Sequence, residues 1–156
     1  MATTETARIA DQLRRAVEGD AWHGPALKEV LKDVPAKTAA AKPIAGAHSI
    51  WELVLHMAVC TEAISKRLRG EKGELTEENS WPPVKDTSDN AWKAALDRLW
   101  NAHPPLYDLV AKFDAARLDE PVVPGGQSAY INIHGLVQHH LYHAGQIALL
   151  KKTAAK

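Results

Sequence analysis

An all-α fold, a four-helix bundle, is what this sequence predicts, and three observations carry the prediction. Four stretches repeat apolar residues at three- and four-residue steps, the period of one face of a helix. No segment gives a convincing run of strands, since β-like pieces such as Val122-Val123 are too short and are flanked by proline. The 156 residues, 46% hydrophobic and 24% charged, make one domain, 1–156, with enough chain to bury a core without disulfides.

The first helix runs from Thr4 to about Gly19, with Ile9, Leu13, Ala16 and Val17 on one stripe. Thr3 or Thr4 can cap it, Glu5 suits its positive end, and Gly19 can close it. Trp22-His23-Gly24-Pro25 then turns the chain, and a short apolar pattern, Leu27, Val30 and Leu31, stops at Pro35. The stretch from Ala36 to Ala47, with Pro43 and Gly46, reads as loop. A second long helix covers about Ser49 to Arg69. At 100 degrees per residue, Ser49, Glu52, Leu53, Cys60, Ala63 and Arg67 fall within about 60 degrees of His56.

Residues 70–87 are polar, broken by Gly73, Pro82 and Pro83, and long enough for a functional connection. The third helix starts at Ser88 or Asp89 and carries Trp92, Leu96, Leu99, His103, Leu106, Val110 and Phe113 on one stripe. Pro104 and Pro105 fall in its middle, and an interior proline costs about 3 kcal/mol, which predicts a kink or break there. After the loop EPVVPGGQ the last helix runs from about Ala129 to Lys152, with Lys151 and Lys152 at its negative end. Four such helices imply an antiparallel bundle, and two long connections leave its order open.

Charge and composition exclude several functions. Lys+Arg 19 balance Asp+Glu 19, against the basic face of a nucleic-acid binder. One cysteine, Cys60, excludes an internal disulfide framework and suits a reducing compartment. No run of about 18 apolar residues and no apolar leader is found, so the expectation is a soluble cytoplasmic protein that binds no membrane.

The chemistry lies in the histidines. His134, His139, His140 and His143 crowd into IHGLVQHHLYHAGQIALL. His139 and His143 are four apart and share a face with Leu136, Ile147 and Leu150, which makes that face the buried one. Two imidazoles in an apolar stripe are costly unless their nitrogens find partners, and a divalent metal is one such partner. His140 lies about 60 degrees off this face and His134 on its flank. His56, on an apolar face of the second helix, supplies a third imidazole, and three leave a fourth position open, as in catalytic zinc sites. Glu52, Gln146 and Tyr142 are the candidates to take the other ring N–H of a ligating histidine.

Each residue also has a plainer reading. A single histidine on a core face is more often a hydrogen-bonded core residue than a ligand, and HxxxH spacing also occurs by chance. Cys60, one turn from His56, reads as inert packing ahead of a soft fourth ligand or a reactive thiol. The five tryptophans read as core and bundle-edge packing, with Trp81-Pro82-Pro83 available to line a pocket mouth.

The segment Gln138-His139-His140-Leu141-Tyr142-His143-Ala144-Gly145-Gln146-Ile147 resembles the C-terminal signature of the DinB/YfiT-like family of metalloproteins. The block HSIWELVLHMAV, His48 to Val59, is similar to the family's second helix, and the Trp22-His23-Gly24-Pro25 turn is of its kind. The resemblance implies a bundle in up-down-down-up order with one divalent metal, zinc or nickel, held by His56, His139 and His143. It also implies a homodimer, for which Val137, Leu141, Ala144 and Ala148 give the last helix a second apolar face. One departure is His140, where many relatives carry an acidic residue.

Two classes of function follow. As an enzyme, the protein activates a low-molecular-weight thiol or a water bound to the metal, with a small molecule as substrate. Hydrolysis needs a general base, and Glu52 and Gln146 are the only nearby options, so thiol transfer is the stronger reading. As a non-catalytic metal protein, it has a closed site with His140, Cys60 or Glu52 as fourth ligand. A bundle without metal, its histidines paired by hydrogen bonds, is the third alternative. Three imidazoles suit zinc, nickel, copper or iron alike.

Overall fold

The structure, a computed structural model, describes residues 3–154. Its long helices are α1 (Glu5–Glu18), α4 (Ile50–Leu68), α6 (Asp89–Ala111) and α7 (Ala129–Ala154). Three short ones lie in the connections: α2 (Leu27–Leu31), α3 (Ala36–Ala40) and α5 (Glu77–Ser80). Among the described residues there is no strand, only an isolated bridge between Pro121 and Ser128.

Local chemistry sets most of these ends. Thr4 Oγ1 caps α1 by accepting from Ala7 N (3.2 Å). Ser49 Oγ accepts from Glu52 N (3.2 Å) while Glu52 Oε2 accepts from Ser49 N (2.7 Å), a reciprocal box that starts α4. Replacing Ser49 with alanine is expected to cost about 1 kcal/mol, read as a lower urea midpoint at unchanged slope. An unchanged midpoint would show that Glu52 holds the helix start alone.

Three expectations are corrected. The segment 36–47 is not all loop: Ala36–Ala40 form one helical turn behind Pro35, whose missing N–H is no loss there, with Ala36 and Ala39 buried. The 70–87 connection contains α5, started by a capping box between Thr76 and Asn79. The third helix does not break at its prolines, because Pro104 and Pro105 stand on the exposed face. Their absent N–H groups free the carbonyls of Trp100 and Asn101, residues half-buried and exposed rather than core, where a lost donor costs less. Of the five tryptophans, Trp51 and Trp92 are core, whereas Trp22 is fully exposed in the turn after α1 and packs into nothing.

The helices α1 and α4 each lie beside α6 and α7, so α1 faces α4, and α6 faces α7, across the diagonals. The N-terminal half of α4 shares a core cluster with the N-terminal half of α6 (Trp51, Leu53, Trp92, Leu99) and the C-terminal half of α7 (Ile147, Leu150). Its C-terminal half shares the second cluster with Leu106 and Val110 of α6, Ala129 and Ile133 of α7, and Ile9 and Leu13 of α1. Thus α4 and α6 run parallel, α7 and α1 oppose them, and the order is up-down-down-up. The parallel pair demands one lengthwise crossing, 69–88, which runs back along α4 from Arg67, bonded to the Gly73 carbonyl, to His56, bonded to that of Ser80, whereas 19–49 and 112–128 join diagonal helices at one end. The second apolar face of α7 is partly covered by α1 and α2, with Ala144 buried and Val137, Leu141 and Ala148 half-buried.

Buried polar side chains collect where the two clusters meet. His56 and Thr61 on α4, His103 on α6, and His140 and His143 on α7 form a belt across the middle of the bundle.

Candidate metal centre

Two imidazoles of that belt, His56 and His143, converge with the half-buried His139. His56 Nε2 lies 2.9 Å from His139 Nε2, which lies 3.1 Å from His143 Nε2. Among the described residues these three form the one His/Cys/Asp/Glu cluster whose ligand atoms all fall within 4.8 Å of one another. His56 and His143 are buried and His139 half-buried. The α4 periodicity turns His56 inward with Leu53 and Cys60, and the i, i+4 spacing on α7 stacks the other two.

The outer nitrogens decide the tautomers. The Nδ1–H of His56 donates to the Ser80 carbonyl (2.7 Å), and that of His143 to Gln146 Oε1 (2.6 Å). Both rings therefore present a bare Nε2 lone pair to His139. One proton on His139 Nε2 can serve only one of them, and His139 Nδ1 is then buried without a partner. A cation between the three Nε2 atoms gives every one of these lone pairs a partner, so the donor set fits a metal ion.

Burial drives the electrostatics. It lowers the pKa of His56, with the Ser80 bond opposing, and that of His143, with Gln146 opposing. Burial and the neighbouring imidazoles of His143 and His56 push His139 down to about 3. The trio is therefore neutral at pH 7, the state a ligand needs.

The other candidates go elsewhere. Glu52 is taken by its own helix cap and by Lys42 Nζ (2.8 Å). Burial raises its carboxyl, but the bonds from Lys42 and Ser49 outweigh this and hold it below the usual range. It touches neither His56 nor the cluster. Tyr142 is 66% exposed and holds no ring nitrogen. Cys60 Sγ lies 3.8 Å from His56 Nε2 but outside the cluster, and burial pushes its thiol up to about 11, as for an inert packing cysteine. His140 turns away to His103, Nε2 to Nε2 at 2.8 Å. His134 packs on Tyr130.

A cavity of about 420 Å³ opens beside the trio, walled by His143, Gln146 and Trp81 among others. The Trp81 ring stacks on His56 (3.8 Å, 3°) and on His48 (3.6 Å, 7°), so of the Trp81-Pro82-Pro83 element Trp81 lines this cavity. A smaller cavity of about 220 Å³ reaches His139 and Cys60 from elsewhere. Sequence reasoning missed His48, which lines the larger cavity with Nδ1 3.6 Å from Glu52 Oε2. It also missed Ser80. The signal for Ser80 was the Thr76-x-x-Asn79 capping pattern ending at Trp81-Pro82, which marks a helical turn but not where its last carbonyl points.

A family model described as the DinB superfamily matches residues 21–147. No curated protein and no solved structure matches the chain.

Proposed function

The chain belongs to the DinB superfamily, and on that premise we propose that it is a metal-dependent enzyme. Its ligands are His56, His139 and His143, its metal one divalent ion, zinc or nickel, and its reaction the transfer of a low-molecular-weight thiol. The observation that carries this is the convergence of three Nε2 atoms, two of them held bare by Ser80 and Gln146. When bound, such a cation supplies Lewis acidity, lowering the pKa of a coordinated thiol or water so that its anion is available at neutral pH.

The chain's own residues supply the rest. Ser80 and Gln146 orient the rings, Trp81 covers one face of His56, and the apolar cavity wall excludes water. His48, which lines the same cavity across the Trp81 ring from His56, is the side chain assigned to pass the thiol's proton on to solvent. None of His140, Cys60 or Glu52 joins the cluster, which supports a position left open for substrate rather than a closed structural site. The same His48 observation favours a second reading, hydrolysis, since it supplies the base that Glu52 and Gln146 do not. The homodimer and the cytoplasmic setting belong to this proposal too, and sedimentation velocity decides the first.

The test is turnover of metal-loaded protein with a panel of thiols and 1-chloro-2,4-dinitrobenzene. The sulfur–carbon bond forms, chloride leaves, and the thiol proton passes to His48 and then to solvent. Turnover that requires metal and disappears in His56→Ala is expected. Ester cleavage without thiol transfer selects hydrolysis, and full metal occupancy with neither removes the enzyme. Gln146→Ala should weaken metal binding about 10–100-fold while Gln146→Glu retains it, in competition with a chromophoric chelator. Equal affinity in all three would mean that His143 needs no outer partner.

A further inference from the structure

We infer that the cavity beside the trio selects an uncharged, largely apolar small molecule, so that if the chain handles a thiol it is an alkyl or aryl thiol rather than one bearing several carboxylates or phosphates. The inference rests on the reading above only in taking this cavity as the substrate's. Its apolar wall is Ile44, Leu53, Trp81, Tyr142, Leu149 and Leu150. Its polar side chains are His48, His143 and Gln146, two imidazoles and an amide. None of its lining residues, among those described, is Lys, Arg, Asp or Glu.

Two of the cations nearest in sequence are already spent. Lys42 is paired with Glu52 at 2.8 Å, and Lys151, one residue after Leu150, donates to the carbonyls of Val30 and Lys32. The start of α4, which borders the cavity beyond Ala47 and His48, offers little to an anion. Its cap is filled by Ser49 and by the Glu52 carboxylate, which puts negative charge there. In the metal-free protein a ligand carboxylate in this cavity would give up water and gain no lysine or arginine, whereas an apolar body gains burial against six apolar or aromatic side chains. A volume near 420 Å³ falls within the roughly 300–1,000 Å³ of small-molecule sites.

The experiment uses three probes with one apolar body and different charge: 1-naphthalenemethanol, 1-naphthoate and 1-naphthylmethylammonium. Chelator-treated protein is titrated with each at pH 7.5, where a carboxylate has no metal to coordinate. The Trp81 indole N–H is followed by NMR, assigned with Trp81→Phe. The alcohol should bind at least tenfold more tightly than either ion and shift the Trp81 signal. In Leu149→Arg, a change at a 61% exposed wall position, the deficit of naphthoate should close. Equal or tighter binding of either ion, or no shift of the Trp81 signal with any probe, overturns the inference. Metal content is measured on the same protein before chelation. A protein that never held metal can still prefer the alcohol, and a metal protein can still fail to, so the two readings fall separately.

Discussion

Alanine at His56, His139 and His143 together is expected to reduce the metal content of tag-free protein from near one equivalent to none. Each single change should weaken zinc or nickel binding by more than the roughly 10–100-fold that losing a ligand's outer partner costs. Binding to the native state alone stabilises it by mass action, about 4 kcal/mol when zinc is present at 1,000 times its dissociation constant. For a chain of this size that is a rise in melting temperature of roughly 10 °C, which the triple variant should lack. The variant should still fold, because it removes no apolar side chain from either core cluster and relieves two facing lone pairs and the orphaned His139 Nδ1. Parent protein that neither carries metal nor melts higher with added zinc or nickel would withdraw the metal site, and the enzyme with it.

The trio was legible because helical periodicity alone decides which way His56, His139 and His143 face. Two helices with apolar stripes must bury them against a neighbour, and a histidine in such a stripe goes inward with it. The family resemblance added the order of the bundle, which no periodicity gives. Ser80 was not legible, since its carbonyl reaches His56 through the path of an irregular connection. The prolines misled because their cost depends on which face they occupy. At exposed positions a freed carbonyl is cheaper than in the core, and α6 runs on through Pro104 and Pro105. The α3 turn was hidden by Pro43 and Gly46, which punctuate the same stretch more strongly than five residues of helix can be read. His103 stood in the α6 stripe from the start, but its partner sits on the helix diagonally opposite. Only the 60 degrees by which His140 leaves the metal face carried a hint, since that rotation turns it towards the bundle axis.

That diagonal pair makes the second large prediction. His103 donates from Nδ1 to the Leu99 carbonyl (2.7 Å), which leaves its Nε2 bare, so His140 must donate from Nε2 across the core (2.8 Å). Thr61 Oγ1 sits 3.4 Å from the same His140 nitrogen while its own hydrogen goes to the Met57 carbonyl (2.8 Å). His140 Nδ1 is buried with no partner at all. Removing one ring strands the other: His140→Leu orphans His103 Nε2, and His103→Leu leaves both His140 nitrogens without an imidazole partner. Each single change should cost about 1–3 kcal/mol, whereas the double change removes every stranded group and should lie much nearer the parent than the sum of the two.

Acid separates this account from simple packing. Burial pushes His103 down to about 4 and holds His140 well below its ordinary value. Because these folded-state values are depressed, the unfolded chain takes up protons first as pH falls. The stability is intact above about pH 6.5, the unfolded value, and is lost progressively down to about pH 4. For His103 alone the loss is about 2 kcal/mol by pH 5, and His140 adds to it. Urea unfolding of chelator-treated protein at pH 7.5 and pH 5 should show this loss in the parent and a smaller one in His103→Leu/His140→Leu. A double variant as acid-sensitive as the parent, or as unstable as the two single costs added, would mean that the pair is ordinary filling. The acid sensitivity of the metal-free bundle would then belong to the trio alone.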